Sequence, residues 1–104
     1  MPSLGVMLFR SLGKIDMKIY KYTLFTQGGH GATGIVYMPV NAKILSCQMQ
    51  QGSAVVWAEV NDSQPMISRN FVCYGTGFDL PDRPRKHIAT LQDGGFVWHI
   101  FEEE

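Results

Sequence analysis

The stretch Tyr74–Glu102, YGTGFDLPDRPRKHIATLQDGGFVWHIFE, decides the fold. Within it, His87–Leu91 and Phe96–Phe101 have the composition of strands, and Asp93-Gly94-Gly95 between them supplies the positive φ angles of a tight hairpin turn. Upstream, Asp79–Lys86 (DLPDRPRK) holds two prolines, each of which disfavours helix in the residue before it, so the segment reads as a stiff connection. Nothing in this stretch has catalytic spacing.

Working outward, the rest of the chain is also strand-like. Lys18–Phe25 alternates, with Tyr20, Tyr22 and Leu24 on one face. Thr26–Gly34 (TQGGHGATG) contains four glycines and reads as a loop, and Ile35–Pro39 as a second strand with Pro39 at its end or on an edge. Lys43–Gln50 places Leu45, Cys47 and Met49 on one face, then Gln51-Gly52-Ser53 turns into Ala54–Val60, predicting a second hairpin. Asn61–Pro65 is dense in turn formers, and Met66–Tyr74 is a further strand that Gly75-Thr76-Gly77 ends or bulges. With short connections and no 3.6-residue period, the expectation is an all-β fold: one small antiparallel β-sandwich or partly open β-barrel of six to seven strands. Its expected core includes Tyr22, Leu24, Ile35, Leu45, Trp57, Phe71, Phe96 and Trp98. Glu59 shares a face with Val55 and Trp57 and is expected at the strand's hydrated end.

A chain of 104 residues accommodates one domain, and 45% hydrophobic residues with 17% charged describe a globular protein rather than a disordered one. The formal charge is zero, which argues against global attraction to nucleic acid or membrane. Residues 1–54 hold five basic side chains and one acidic, and residues 55–104 four basic and eight acidic. Glu102-Glu103-Glu104 reads as a solvated tail. Cys47 and Cys73 lie in strands among apolar neighbours and are expected buried and reduced. No apolar run reaches the roughly 18–20 residues of a membrane span. Met1–Asp16 (MPSLGVMLFRSLGKID) lacks a small-residue cleavage site and is read as an N-terminal extension, or an early start, before a domain beginning at Met17. Leu4–Leu12 within it is the one weak helical candidate. The expected location is the cytoplasm.

Four blocks in order, MKIYKYTL from Met17, NAKILSCQMQQGSAVVWAEV (Asn41–Val60), YGTGFDLP (Tyr74–Pro81) and HIATLQDGGFVWHIFE (His87–Glu102), give the chain a family likeness. Over residues 17–102 it resembles a family of short proteins of unknown function found in bacteriophages and prophages. The resemblance implies a phage-encoded accessory protein made in the host bacterial cytoplasm, and it carries no catalytic residues. Met1–Asp16 departs from the pattern, because family members begin at the MKxIYKY-like strand.

The residues themselves offer few chemical constellations. His30, His87, His99, Cys47 and Cys73 are isolated in sequence, with no CxxC or HxxxH, so no metal site and no cofactor is expected. Cys–His nucleophilic catalysis is formally available but outweighed by core cysteines and polar-face histidines. Gly28, Gly29, Gly31 and Gly34 do not open a helix and so do not form a phosphate cradle, although their loop could close over a ligand with His30 as its polar contact. The densest positive run, Arg83, Arg85, Lys86 and His87, lies beside Tyr74, Thr76 and Phe78, and could hold a phosphate or dock an acidic protein surface. Three cations are too few for strong nonspecific nucleic-acid binding.

From these observations and the resemblance, the leading expectation is a non-enzymatic protein that binds and inhibits a host component, such as a CRISPR effector or another bacterial defence complex. The second is a module that sequesters a small anionic molecule such as a nucleotide, with a homo-oligomer as an accompanying possibility. The third is a minor virion structural or assembly protein.

Overall fold

The computed structural model describes residues 16–104. The expectations for Met1–Ile15, including the helical candidate Leu4–Leu12, fall outside the described residues. Seven strands follow one another: β1 (Met17–Phe25), β2 (Thr33–Pro39), β3 (Lys43–Gln50), β4 (Ser53–Asn61), β5 (Met66–Gly75), β6 (Arg85–Asp93) and β7 (Phe96–Glu103). They form two antiparallel sheets, one of three strands in the order β1-β4-β3 and one of four in the order β2-β5-β7-β6. No helix and no closed barrel occurs among the described residues, and the expected sandwich is the architecture found.

The turn chemistry accounts for both tight hairpins. Gln51 (φ 53) and Gly52 (φ 85) both occupy the left-handed region, which directs β3 back along β4 with Gln50 opposite Ser53. Between β6 and β7, Gly94 (φ 61) turns the chain so that Asp93 faces Phe96.

The core lies between the sheets. Ala54, Val56, Ala58 and Val60 of β4 face Val36, Met38, Phe71, Cys73 and Ile100 of the four-stranded sheet. Phe71, Met38, Ile100, Val56 and Val60 are fully buried, each contributing about 1.5–3 kcal/mol relative to an exposed position. At one mouth of the sandwich Arg69 forms a bidentate pair with Glu102, at 2.7 Å and 2.8 Å, and donates a third bond to the Ala42 carbonyl at 2.7 Å. This clamp ties β5 and β7 to the segment leading into β3.

Several expected core residues lie elsewhere. A bulge between Ile44 and Ser46 shifts the phase of β3, so Ile44 packs on the core and Leu45 is 46% exposed. In β2 the inward set is Val36 and Met38, which leaves Ile35 64% exposed. Trp57 is half-buried in β4 among residues that alternate with the core set. Phe96 follows the turn directly and is also exposed. Glu59 is half-buried, opposite Lys43 and Ile19 in the two neighbouring strands. Glu102 and Glu103 belong to β7 and are ion-paired, so the solvated tail reduces to Glu104.

One connection determines where the functional residues go. β5 and β6 both run antiparallel to β7, which lies between them, so they are parallel to each other. Residues 76–84 must therefore return along the length of β7. This strap ends before Arg85, so Arg85 and Lys86 sit in strand β6 rather than in the connection.

Candidate functional site

The strap holds to the four-stranded sheet at both ends. At its far end Arg83 Nε donates to Glu103 Oε1 at 2.9 Å, and Tyr74 Oη donates to the other carboxylate oxygen. Burial alone would push the Glu103 carboxyl up, but the Tyr74 hydroxyl and the Arg83 guanidinium outweigh it and hold that carboxyl below the usual glutamate range. Around this pair Phe101 meets Tyr74 at 5.8 Å, His87 at 5.2 Å and the Arg85 guanidinium at 5.6 Å. Arg85 also donates to the Pro81 carbonyl at 2.8 Å, bracing the strap. Lys86 falls on the other side of β6, opposite Glu102. A shallow cleft of about 270 Å³ here is lined by Arg85 and Lys86 together with Glu102, Glu103 and Glu104.

At its near end the strap meets the glycine-rich loop. Phe78 stacks on His30 with ring centroids 3.9 Å apart and planes at 17°. The Gly75 N–H donates to His30 Nδ1 at 3.1 Å, which makes that nitrogen an acceptor and leaves the ring proton on Nε2. A side chain at Gly75 would press on Phe78, with its Cβ 3.0 Å from the ring. Across from this stack Phe96 and Trp98 form a second one, at 5.4 Å and 10°. Trp98 is oriented by its indole N–H, which donates to Asp93 at 3.0 Å, and by the backbone of Gly28, where a Cβ would come within 2.5 Å of the indole nitrogen.

The two stacks enclose a groove of about 540 Å³ lined by His30, Gly75, Thr76, Phe78, Gly95, Phe96, Val97 and Trp98. Among the described residues, its lining contains no formally charged side chain. Phe78 and Phe96 remain 57% and 63% exposed, so their rings contribute apolar surface to the groove rather than to the core.

A polar chain joins the two ends. Thr76 Oγ1 shares a hydrogen bond with His99 Nε2 at 2.8 Å, His99 Nδ1 with Thr90 Oγ1 at 3.1 Å, and Thr90 Oγ1 with His87 Nε2 at 3.0 Å. The eight residues singled out from the sequence are thus divided. His30, Thr76 and Phe78 line the groove or form its walls, Tyr74 lies beneath His30, and Arg83, Arg85 and His87 gather around Phe101 and Glu103. Lys86 meets the second group only in lining the shallow cleft it shares with Arg85 and Glu103.

The sequence reading missed Phe96, Trp98 and Asp93 as parts of a site, because both aromatics were placed in the core. The signal present was the adjacency of Phe96 to a two-glycine turn, where no core is available to cover a ring.

The thiols are poorly suited to nucleophilic chemistry. Burial pushes Cys47 up to about 11, and burial also raises Cys73 despite a backbone hydrogen bond that opposes it. Among the described residues no cluster of three or more His, Cys, Asp or Glu side chains converges, and no helix is long and apolar enough to cross a membrane.

Comparison with known proteins finds a family match. The model of a family described as Domain of unknown function (DUF7352) matches residues 16–104, most of the chain, and the chain belongs to that family. No curated protein and no solved structure matches it.

Proposed function

We propose that this member of the DUF7352 family is a non-enzymatic binding protein that engages a partner protein through the aromatic groove at the loop end of its four-stranded sheet. The observation that carries this reading is the pairing of two ring stacks, His30 with Phe78 and Phe96 with Trp98, around a groove whose described lining carries no formal charge. Such walls accept an aromatic or aliphatic side chain of a protein surface, and exposed aromatic anchors are the usual centres of binding energy. In the context implied by the phage resemblance, the partner is a bacterial host protein, with a defence complex the class of target to examine first.

A nucleotide-sequestering role has one observation in its favour, since stacked rings also accept bases. Against it, Arg83 is bonded to Glu103, and Arg85 and Lys86 line a cleft shared with three carboxylates, so little cationic charge remains for a phosphate. Incorporation into the virion as a structural component rests on no feature of the site.

The test is affinity capture from bacterial lysate with the full tagged chain, beside Phe78→Ser and Phe96→Ser variants whose substitutions leave the core intact. The expected result is a host protein retained in stoichiometric amount by the unmodified chain and lost with both variants. A saturable change in Trp98 fluorescence with a nucleotide, and no retained protein, would replace this reading with the sequestering one.

A further inference from the structure

Among the described residues the two sheets present four edge strands, β1 and β3 in one and β2 and β6 in the other, and three of them are protected against pairing. β1 carries Lys18 and Lys21 and a register shift between Thr23 and Phe25. β3 carries Lys43 and a shift between Ile44 and Ser46, and β6 carries Arg85 and Lys86 and a shift between His87 and Ala89. Lysines and bulges are the devices by which natural sheets prevent edge-to-edge association. β2, Thr33–Pro39 (TGIVYMP), has neither: it contains no charged residue, its register with β5 is unbroken from Thr33 to Pro39, and its one protective residue, Pro39, stands at the strand's last position.

The backbone of β2 is also oriented for pairing. Cys73 of β5 exchanges bonds with the segment just before β2, accepting from Gly31 and donating to Ala32. Antiparallel alternation from that point directs the main-chain groups of Gly34, Val36 and Met38 toward β5, and those of Thr33, Ile35 and Tyr37 toward the open edge. Ile35 and Tyr37 are 64% and 63% exposed.

We propose that β2 is a self-association edge, through which two copies of this chain pair antiparallel about a two-fold axis at Val36 and join their four-stranded sheets. In that register Ile35 of one copy lies opposite Tyr37 of the other, and each such pair exchanges two main-chain hydrogen bonds. An aliphatic β-branched residue beside an aromatic is a favourable cross-strand pair. A second copy fits better than an unrelated strand for two reasons. The two-fold axis makes both pairs identical, and the absence of charge on β2 means that the self-pairing brings no like charges together. Two seven-residue strands cover less than the roughly 1,200–2,000 Å² of a standard interface, so the association is reversible.

The experiment is sedimentation velocity of the full chain over a concentration series into the high micromolar range, with amide exchange recorded at both extremes. The expected result is a monomer–dimer equilibrium in which the Ile35 and Tyr37 amides become protected only at high concentration. Ile35→Lys should weaken the dimer by about tenfold or more. Tyr37→Pro removes a donor on the open side of an edge strand, where proline is tolerated, and should do the same while thermal unfolding stays close to that of the unmodified chain. A monomer throughout the series, or a dimer undiminished by either substitution, overturns the proposal. Neither substitution touches the aromatic groove, so partner binding there is read out separately.

Discussion

Tyr74 donates its phenolic hydrogen to Glu103 at 2.5 Å, linking the buried end of β5 to the last residue of β7 under the strap. Because Glu103 is only 6% exposed, its second oxygen must also be satisfied, and Arg83 of the strap does so. Together they anchor the strap to the sheet.

Removing both members should therefore cost less than the two single losses added together. Glu103→Ala leaves the Tyr74 hydroxyl buried without its partner and is expected to destabilise the protein by about 1–3 kcal/mol in urea or thermal unfolding. Tyr74→Phe should cost less, and the double variant should be no worse than Glu103→Ala alone. Strict additivity of the two single effects would show that the residues do not depend on each other.

The same carboxylate gives the protein a directional pH response. Its proton affinity is lower in the folded state than in the unfolded one, so its contribution is complete above the ordinary glutamate range, about pH 4.3, and is lost as pH falls through the lower folded value. Stability measured against pH should fall below about pH 4.3 less steeply in Glu103→Gln than in the unmodified chain. Parallel curves would mean that Glu103 does not contribute to acid lability.

Three glycines should respond differently to the same methyl group. A Cβ at Gly34 would lie 2.0 Å from the Leu24 carbonyl oxygen, a backbone atom with no room to retreat, so Gly34→Ala is expected to cost about 3 kcal/mol. At Gly28 the obstacle is the Trp98 ring, so Gly28→Ala should change the Trp98 emission and near-ultraviolet dichroism in a Trp57→Phe background. Gly29 meets nothing within 4 Å, and Gly29→Ala should leave both stability and spectrum nearly unchanged.

The cysteines should be slow to alkylate in the native protein. With Cys47 pushed to about 11 and Cys73 buried and raised, labelling by iodoacetamide near neutral pH should be much slower in the folded than in the urea-unfolded chain. Rapid native labelling at Cys73 would show that β5 opens locally.

Strand existence was legible because alternation and turn chemistry agree, most plainly at Gln51-Gly52 and Gly94-Gly95. Facing was less so. One extra residue in β3 reversed the roles of Ile44 and Leu45, and a bulge leaves no mark where two apolar residues stand side by side. In β2 the run Ile35, Val36, Tyr37, Met38 is apolar at every position, so only tertiary packing selects Val36 and Met38 for the core. The groove was half legible: His30 and Phe78 were noticed separately, as a loop residue and as a neighbour of a basic run. Their stacking, and the facing pair Phe96 and Trp98, depend on three loops meeting at one end of a sheet, which no local pattern encodes. Nor did charge counting foresee that Glu103 would take up Arg83, since the partners join through a chain reversal.

The placement of β7 between two strands that both precede it has a kinetic consequence. β5 and β6 have no register with each other until β7 arrives, whereas β6 and β7 are joined by the short turn at Gly94-Gly95 and can zip together first. The larger sheet should then be completed when this preformed ribbon docks on β5 through β7, a step that closes the loop spanned by the strap, and its rate should fall in the milliseconds-to-seconds range of folds dominated by distant contacts. Substitutions in the Asp93–Phe96 turn should consequently slow refolding, and those in the Tyr74–Glu103 anchor should mainly speed unfolding, a division that stopped-flow measurements on the two sets of variants would reveal.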